Sequence, residues 1–116
     1  DEYGGTLENR MRLLKEIIDG IRKECGKDFP ISVRLSVEEY YDMIGYAGQG
    51  IVLEEGVKMA KCLESFGIDV LNVSSGNYDT AQTSCEPVSF AQGWRKYLAK
   101  AVKDEVRIPV IAANLI

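Results

Sequence analysis

The chain has 116 residues, of which 46% are hydrophobic and 28% are charged, and this composition suits one modest globular domain with a core. The net charge of −4 argues against nucleic acid as a partner, and no apolar run reaches the length of a membrane span. The chain has no histidine, so the commonest general base and metal ligand are both missing. Any histidine that the chemistry needs must therefore lie outside this chain.

The cysteines and the chain ends indicate the class of protein. Cys25, Cys62 and Cys85 are far apart, their number is odd, and none forms a C-x-x-C pair. This pattern favours reduced thiols in a cytoplasmic protein over disulfides or a local metal site. Because the chain begins with Asp1 and ends in an apolar run over 108–116, we interpret it as an excerpt of a longer protein.

The first predicted element is a helix over Leu7–Cys25. Apolar residues recur there in steps of four and three, which is typical of a helix with one buried face. Thr6 is the predicted N-cap, and Gly26 is the predicted stop. The residues expected on the buried face are Leu7, Met11, Leu14, Ile18, Ile21 and Cys25.

The next stretch, Ile31–Ser36, alternates apolar and polar residues after Pro30, and this period of two predicts a strand. Its polar face carries Arg34 near the C-terminal end, where ligands gather in parallel α/β folds. A buried guanidinium is costly unless an anion or a polar ligand meets it. Arg34 is therefore the first candidate binding residue. The alternatives are an exposed edge position and an ion pair with a nearby carboxylate.

A long loop then leads to a second helix, predicted from Val52 to Phe66, and to a second strand, Val70–Ser74. The loop allows a short helical turn at about 37–43, and its length favours a lid or a wall of a site over a plain turn. In the second strand, Asn72 and Ser74 are expected to face the same side as Arg34. A packed polar layer in the core is the main alternative for these two side chains.

The last predicted unit is a helix over Ser89–Lys103, with Pro87 just before it, followed by a strand over Val110–Ala113. The three strands begin about 39 residues apart, which predicts parallel βαβ units with right-handed connections. Eight such units would need about 310 residues, the size range of a (β/α)8 barrel with extended loops. The predicted fold is α/β: a partial barrel of about three parallel strands and three helices.

Three motifs carry a resemblance to a known family. They are Asp-Glu-Tyr-Gly-Gly-Thr-Leu-Glu-Asn-Arg at 1–10, Val-Arg-Leu-Ser at 33–36 and Val-Ser-Ser-Gly at 73–76. In order and spacing the whole chain resembles the Old Yellow Enzyme family of FMN-dependent NAD(P)H:flavin oxidoreductases. The ending Ile-Pro-Val-Ile-Ala-Ala-Asn at 108–114 is most similar to the larger branch of dienoyl-CoA reductases, enoate reductases and NADH oxidases. The resemblance makes residues 1–116 one fragment from the middle of an FMN-binding barrel domain, from the helix before the fifth strand to the seventh strand.

The resemblance implies two cofactor-binding residues. Arg34 matches the family arginine on the fifth strand that contacts the flavin near N1 and the C2 carbonyl, where negative charge gathers on reduction. Asn114 aligns with the start of the loop where the family begins to bind the FMN phosphate, although an ordinary strand-end asparagine is an equal alternative. The residues that polarise and protonate the substrate lie before Asp1 in the family pattern. We therefore expect no catalytic residue and no metal ligand in this segment.

Several other residues are assigned supporting roles by the resemblance. Asn9 and Arg10 are expected to anchor the loop that contains Tyr3, Gly4 and Gly5 to the barrel. The tyrosines on the long loops are expected mainly at packing or surface positions, although one of them could touch substrate. These tyrosines are Tyr40, Tyr41, Tyr46 and Tyr78.

The implied parent enzyme takes hydride from NADH or NADPH and passes it through flavin to the activated C=C bond of an enoyl or enone substrate. A 4Fe–4S cluster belongs to the larger branch, and its ligands would lie outside this segment. The fragment alone is expected to be inactive and to self-associate through its open sheet edges. Two alternatives remain: a non-catalytic βα-repeat fragment, and a different barrel enzyme such as an aldolase. The predicted strand ends carry Arg34, Ser74 and Asn114 and no lysine, which argues against Schiff-base chemistry.

Overall fold

The structure is a computed structural model that describes residues 2–114 of the chain. Asp1 and the last two residues of the predicted apolar run, Leu115 and Ile116, lie outside the described residues. The elements in chain order are α1 (Leu7–Cys25), β1 (Ser32–Ser36), a 3-10 turn (Tyr41–Ile44), α2 (Leu53–Ser65), β2 (Val70–Ser74), α3 (Ala81–Ser84), α4 (Lys96–Glu105) and β3 (Val110–Ala112). None of the helices in 2–114 is both long and apolar enough to cross a membrane.

The three strands form one parallel sheet in the order β1-β2-β3, as the βαβ pattern predicts. The register places Leu35 beside Val73, and Val73 beside Ala112. Because side chains alternate along a strand, this row lies on one face of the sheet and Arg34 lies on the other. The arrangement is an α/β fragment consistent with part of a (β/α)8 barrel, with one helix more than predicted: the four-residue α3.

Helix α1 has the predicted bounds. The Thr6 Oγ1 accepts a hydrogen bond from the Asn9 backbone N–H at 3.3 Å, and Gly26 ends the helix with φ +88°. A positive φ is strained for residues other than glycine, which explains why the helix stops there. Met11 and Ile18 are buried on the predicted apolar face.

The core lies between the helices and one face of the sheet. Leu71 of β2 is fully buried at its centre, with Leu63 of α2 and Leu98 of α4 in the same cluster. Full burial of side chains of this size contributes about 1.5–3 kcal/mol each. The opposite face of the sheet is more open in the described chain: Arg34 is exposed, and Ile111 of β3 is 46% exposed.

The predicted start of the last helix is wrong. Residues 89–95 form turns, and α4 begins only at Lys96. Gly93 adopts φ +66°, which a continuous helix cannot accommodate, and Phe90 packs against Trp94 with ring centroids 4.8 Å apart. The apolar spacing of these two aromatic residues reflects packing within the turn.

Candidate functional site

The polar face of the sheet carries the first candidate site. Arg34 lies opposite Asn72 in the register of β1 and β2, and Ser36 lies opposite Ser74. The Arg34 Nη2 donates to the Ser74 Oγ at 3.2 Å, so these two side chains share one face as predicted. The carboxyl ends of parallel strands lie at one edge of a sheet, and this pair therefore points to the edge where such folds bind ligands.

Among residues 2–114, no carboxylate pairs with Arg34. Arg10, Arg22 and Arg95 each form an ion pair, but no carboxylate of residues 2–114 lies within 4.0 Å of the Arg34 guanidinium. The described part of the chain therefore does not support the alternative in which Arg34 forms an ion pair. The edge alternative agrees with the fold in part, because β1 has one neighbouring strand and Arg34 is exposed.

Asn72 supplies an independent indication of a missing partner. Its Oδ1 is buried, and no donor in residues 2–114 meets it. A buried carbonyl oxygen without a donor costs about 1–3 kcal/mol, so such atoms are rare in complete sites. Within the part of the chain that the structure describes, an acceptor without a donor and a cation without an anion thus lie in neighbouring positions. This pair fits a planar ligand that offers both an N–H donor and electron-rich acceptors, as the pyrimidine ring of a flavin does.

Asn114 lies just beyond β3 in the left-handed region, with φ +67°. Its Nδ2 donates to the Ser84 carbonyl at 2.8 Å and so ties the end of β3 to α3. Asn114 and Arg34 both lie toward the carboxyl ends of their strands, and β2 separates these strands in the sheet. In this chain, at least one amide N–H of Asn114 serves the protein's own backbone.

The loops after β1 and β2 are fastened to each other above this edge. The Gly76 N–H donates to the Glu38 carbonyl at 2.7 Å, and the Ser36 Oγ donates to the Gly76 carbonyl at 2.9 Å. Farther out, the Tyr41 hydroxyl donates to the Asp79 Oδ2 at 2.6 Å, and Asn77 donates to Glu39 at 3.1 Å. The two long loops are therefore tied to each other beyond the carboxyl ends of β1 and β2.

Tyr40 is the most constrained of the predicted loop tyrosines. Its backbone is left-handed at φ 56°, which is uncommon for an aromatic residue, and its side chain is buried. Its hydroxyl lies 2.7 Å from the Tyr97 hydroxyl. Burial raises the pKa of Tyr40 far above its ordinary value, and the hydrogen bond with Tyr97 raises it further. Tyr40 is therefore a neutral packing residue, as expected for most of this group.

The other tyrosines differ in exposure. Tyr46 is 56% exposed and Tyr78 is fully exposed, so both are open to contacts from outside the described chain. The Tyr3 hydroxyl donates to Glu16 at 3.1 Å and ties the first loop to α1. Arg10 has the predicted anchoring role: its Nε donates to the Gly5 carbonyl at 3.1 Å, and its guanidinium forms an ion pair with Glu55.

One buried cluster at this edge was not predicted. The Arg95 Nε lies 2.7 Å from the Glu86 Oε1, and the Arg95 guanidinium also donates to the Ser75 Oγ and the Thr83 carbonyl. The Trp94 Nε1 donates to the same carboxylate at 3.0 Å. The sequence signal was an acid and a base nine residues apart beside a Trp, but the expected helix from Ser89 placed Arg95 within its second turn.

The comparisons with known proteins decide the family. All 116 residues match the model of the NADH:flavin oxidoreductase / NADH oxidase family. The chain belongs to this family. The resemblance to the Old Yellow Enzyme family is thereby confirmed, and with it an oxidoreductase family that uses FMN with NADH or NADPH.

Individual members give the degree of similarity. The chain is 47% identical over its whole length to an NADH oxidase of Thermoanaerobacter brockii, of which it covers 17%. It is 36% identical to a cinnamate reductase of Clostridium sporogenes, covering 18% of that protein, and 37% identical to an NADPH dehydrogenase of Clostridium acetobutylicum, covering 31%. The chain thus spans less than a third of the length of each of these three relatives.

Metal-ligating side chains do not gather in the described part of this family member: no group of three Cys, Asp or Glu side chains there could hold a metal ion. Cys25, Cys62 and Cys85 are all free thiols. Cys62 lies on α2, as expected, and Cys85 follows α3. Cys25 lies at the end of α1 but is exposed, so its expected position on the buried face is wrong.

Proposed function

We propose that residues 1–116 are one fragment of the FMN-binding (β/α)8-barrel domain of an ene reductase. The observation that supports this most is Arg34 on the polar face of the sheet: within residues 2–114 it has no carboxylate partner, and the neighbouring Asn72 Oδ1 has no donor. The chemistry supplied by bound FMN is hydride transfer from NADH or NADPH to the β-carbon of an activated alkene. An enoate, an enone or an enoyl thioester is the proposed substrate class, and the relative named cinnamate reductase supports the enoate.

In this proposal Arg34 binds the flavin through its guanidinium. Its planar set of N–H donors suits two neighbouring acceptors, which a lysine could not match, and its fixed charge stabilises negative charge on the reduced ring. Asn114 is proposed to mark the start of the phosphate-binding loop. Its link to Ser84 would fix that loop against α3. The substrate carbonyl would be polarised, and the α-carbon protonated, by residues outside this chain.

The test is the visible spectrum of the purified full-length protein, alone and with Arg34→Ala or Arg34→Lys. Yellow wild-type protein that releases FMN on denaturation supports the proposal, provided that both Arg34 variants bind FMN more weakly. Arg107→Ala is a matched control, because Arg107 is an exposed arginine before the amino end of β3, and the proposed flavin site is at the carboxyl ends of the strands. A colourless protein that cannot be reconstituted with FMN would overturn the proposal. A broad additional absorbance, with iron and sulfide in the protein, would place it in the larger branch with a 4Fe–4S cluster.

The ene-reductase step has its own test. The FMN-loaded protein is given cinnamate and NADH or NADPH deuterated at C4, and the product is examined by NMR. Deuterium at the β-carbon, with a solvent proton at the α-carbon, is expected. Consumption of reduced nicotinamide only in the presence of oxygen, with cinnamate unchanged, would show an oxidase that does not reduce this alkene.

The 116-residue chain alone is proposed to be inactive and to bind FMN weakly or not at all. Its sheet ends in two strands that each have one neighbour, and Ile111 on the uncovered face is 46% exposed. Such edges pair with other chains. We expect the isolated chain to elute above monomer size in size-exclusion chromatography and to leave the FMN spectrum unchanged. A monomeric chain that binds FMN tightly would contradict this expectation.

A further inference from the structure

The Ser74 hydroxyl is the only side-chain group in residues 2–114 to which Arg34 donates a hydrogen bond, at 3.2 Å. Ser74 is 9% exposed, so this oxygen is largely removed from water. We propose that Ser74 is a positioning residue. Its hydroxyl turns the Arg34 guanidinium toward the carboxyl ends of the strands, where the flavin is proposed to lie, and thereby sets the reduction potential of the flavin. This inference rests on the function proposed above.

The register shows why Arg34 needs a positioning residue. Asn72, and not Ser74, lies directly opposite Arg34, and Ser74 lies two residues farther toward the C-terminal end of β2. The bond to Ser74 therefore runs diagonally and carries the guanidinium toward the edge of the sheet. The competing acceptor is the Asn72 Oδ1, which is buried and has no donor in residues 2–114.

Arg34 thus has two acceptors on its face of the sheet and donates to Ser74, the one nearer the carboxyl ends of the strands. Because an arginine side chain has many rotamers, loss of the Ser74 hydroxyl would release the guanidinium to turn toward Asn72. The positive charge would then move away from the edge where the flavin ring is proposed to lie. A positive charge stabilises the reduced ring most where it lies close to the developing negative charge, so its displacement would lower the reduction potential.

The backbone around Ser74 is fixed well enough to serve as a reference point. The Ser74 carbonyl accepts a hydrogen bond from the Val37 N–H at 3.0 Å, just beyond the end of β1. The Ser36 Oγ donates to the Gly76 carbonyl at 2.9 Å on the other side of Ser74. The hydroxyl is thus held between the two strands whose side chains it connects, and a supporting group of this kind orients a ligand-binding residue.

The experiment measures the two-electron reduction potential of FMN in the full-length protein carrying Ser74→Thr or Ser74→Val. These side chains have nearly the same shape, but only threonine keeps the hydroxyl. We expect Thr to retain the wild-type potential. We expect Val to weaken binding of reduced relative to oxidised FMN by about tenfold, which corresponds to about 30 mV toward more negative potential. Ser32→Ala is the control, because Ser32 lies on the same strand face as Arg34 and is exposed.

A double-mutant cycle with Arg34→Ala tests whether Ser74 acts through Arg34. If it does, Ser74→Val changes the potential in the presence of Arg34 and has no further effect in its absence. Equal potentials for the Thr and Val variants, or shifts that add in the double variant, would overturn the inference while FMN binding and the proposed function stand. Wild-type protein without FMN would overturn the proposed function itself, and this inference with it.

Discussion

Arg95 and Glu86 form an ion pair with 2.7 Å between Nε and Oε1, and their side chains are only 6% and 2% exposed. Removing two charges from water is costly, and the cost is met only where further hydrogen bonds satisfy both groups. Here Ser75, Thr83 and Trp94 provide those bonds. Arg95 also reaches the Ala113 carbonyl at 3.4 Å, so one side chain joins the ends of β2 and β3 to the loop between them.

Replacement of one partner of this pair should be strongly destabilising. Arg95→Met leaves the Glu86 carboxylate buried without its cation, and we expect the free energy of unfolding to fall by about 3–5 kcal/mol. Urea denaturation of the full-length protein measures the change. Glu86→Gln combined with Arg95→Met should recover part of the loss, because no buried charge remains.

The matched control for the ion pair is Lys100→Met in α4. Lys100 pairs with Asp104 across one helical turn, with side chains 74% and 59% exposed. Exposed pairs of this kind contribute little, so no measurable change in stability is expected. Similar losses for the Lys100 and Arg95 variants would contradict the special role assigned to the buried pair.

The regular elements of the fold follow from local sequence pattern. Helix α1 has the predicted bounds, and so does β2, because capping residues and apolar periodicity are local properties that a single stretch reveals. The shared face of Arg34 and Ser74 was also predictable, since the alternation of side chains and a parallel pairing of the strands are sufficient to place them.

The remaining features depend on contacts that are distant in sequence. The predicted start of α4 was wrong because the spacing of Phe90 and Trp94 resembles that of a helical face. In the structure, Gly93 and the buried Arg95 impose a turn there. The unsatisfied Asn72 Oδ1 could not be predicted, because it depends on which donors surround it in space. The close approach of α2 to the end of β1 at Gly56 was likewise invisible in the sequence.

Gly56 should tolerate no side chain. It lies in α2, and a Cβ built on it would be 2.1 Å from the Val37 carbonyl oxygen, which belongs to the backbone and cannot move aside cheaply. Gly56→Ala should therefore lower the free energy of unfolding by about 1–3 kcal/mol or more. The matched control is Gly20→Ala in α1, where nothing lies within 4 Å of the added Cβ. That change should raise stability by up to about 1 kcal/mol, since alanine favours the helix. Equal effects at the two sites, measured by thermal denaturation, would refute the steric argument.

Asp69 should make the fold sensitive to acid. Its Oδ2 accepts hydrogen bonds from the Ile31 N–H at 2.7 Å and from the Arg22 Nη2 at 2.8 Å. The bond from Ile31, followed by that from Arg22, lowers the pKa of Asp69 below its ordinary value. The carboxylate therefore stabilises the fold above the pKa it has in the unfolded chain, and this contribution is lost as the pH falls through the lower folded value.

Urea midpoints measured from about pH 6 down to about pH 3 test the role of Asp69. Asp69→Asn should be less stable than wild type at the upper end, and the difference should shrink toward the lower end. Asp28→Asn, which changes an exposed aspartate in the turn before β1, should follow the wild-type curve throughout. A constant gap between Asp69→Asn and wild type across the range would show that ionisation of Asp69 is not responsible.

Tyr40 should make the fold sensitive to alkali. Its pKa is raised by burial first and by the Tyr97 hydroxyl second, while Arg95 opposes the rise. A raised folded pKa means that the unfolded chain loses the proton first as the pH increases. The contribution of Tyr40 is therefore complete below the ordinary tyrosine pKa of about 10, and above it stability falls by up to about 1.4 kcal/mol per pH unit. Tyr40→Phe cannot ionise at this position, so the stability of this variant should fall less steeply between about pH 10 and pH 12.

The control is Tyr78→Phe, which changes the fully exposed ring and should keep the wild-type slope. If both variants lose stability as steeply as wild type, the alkaline transition arises elsewhere, and the Tyr40–Tyr97 pair only packs the wall of the site.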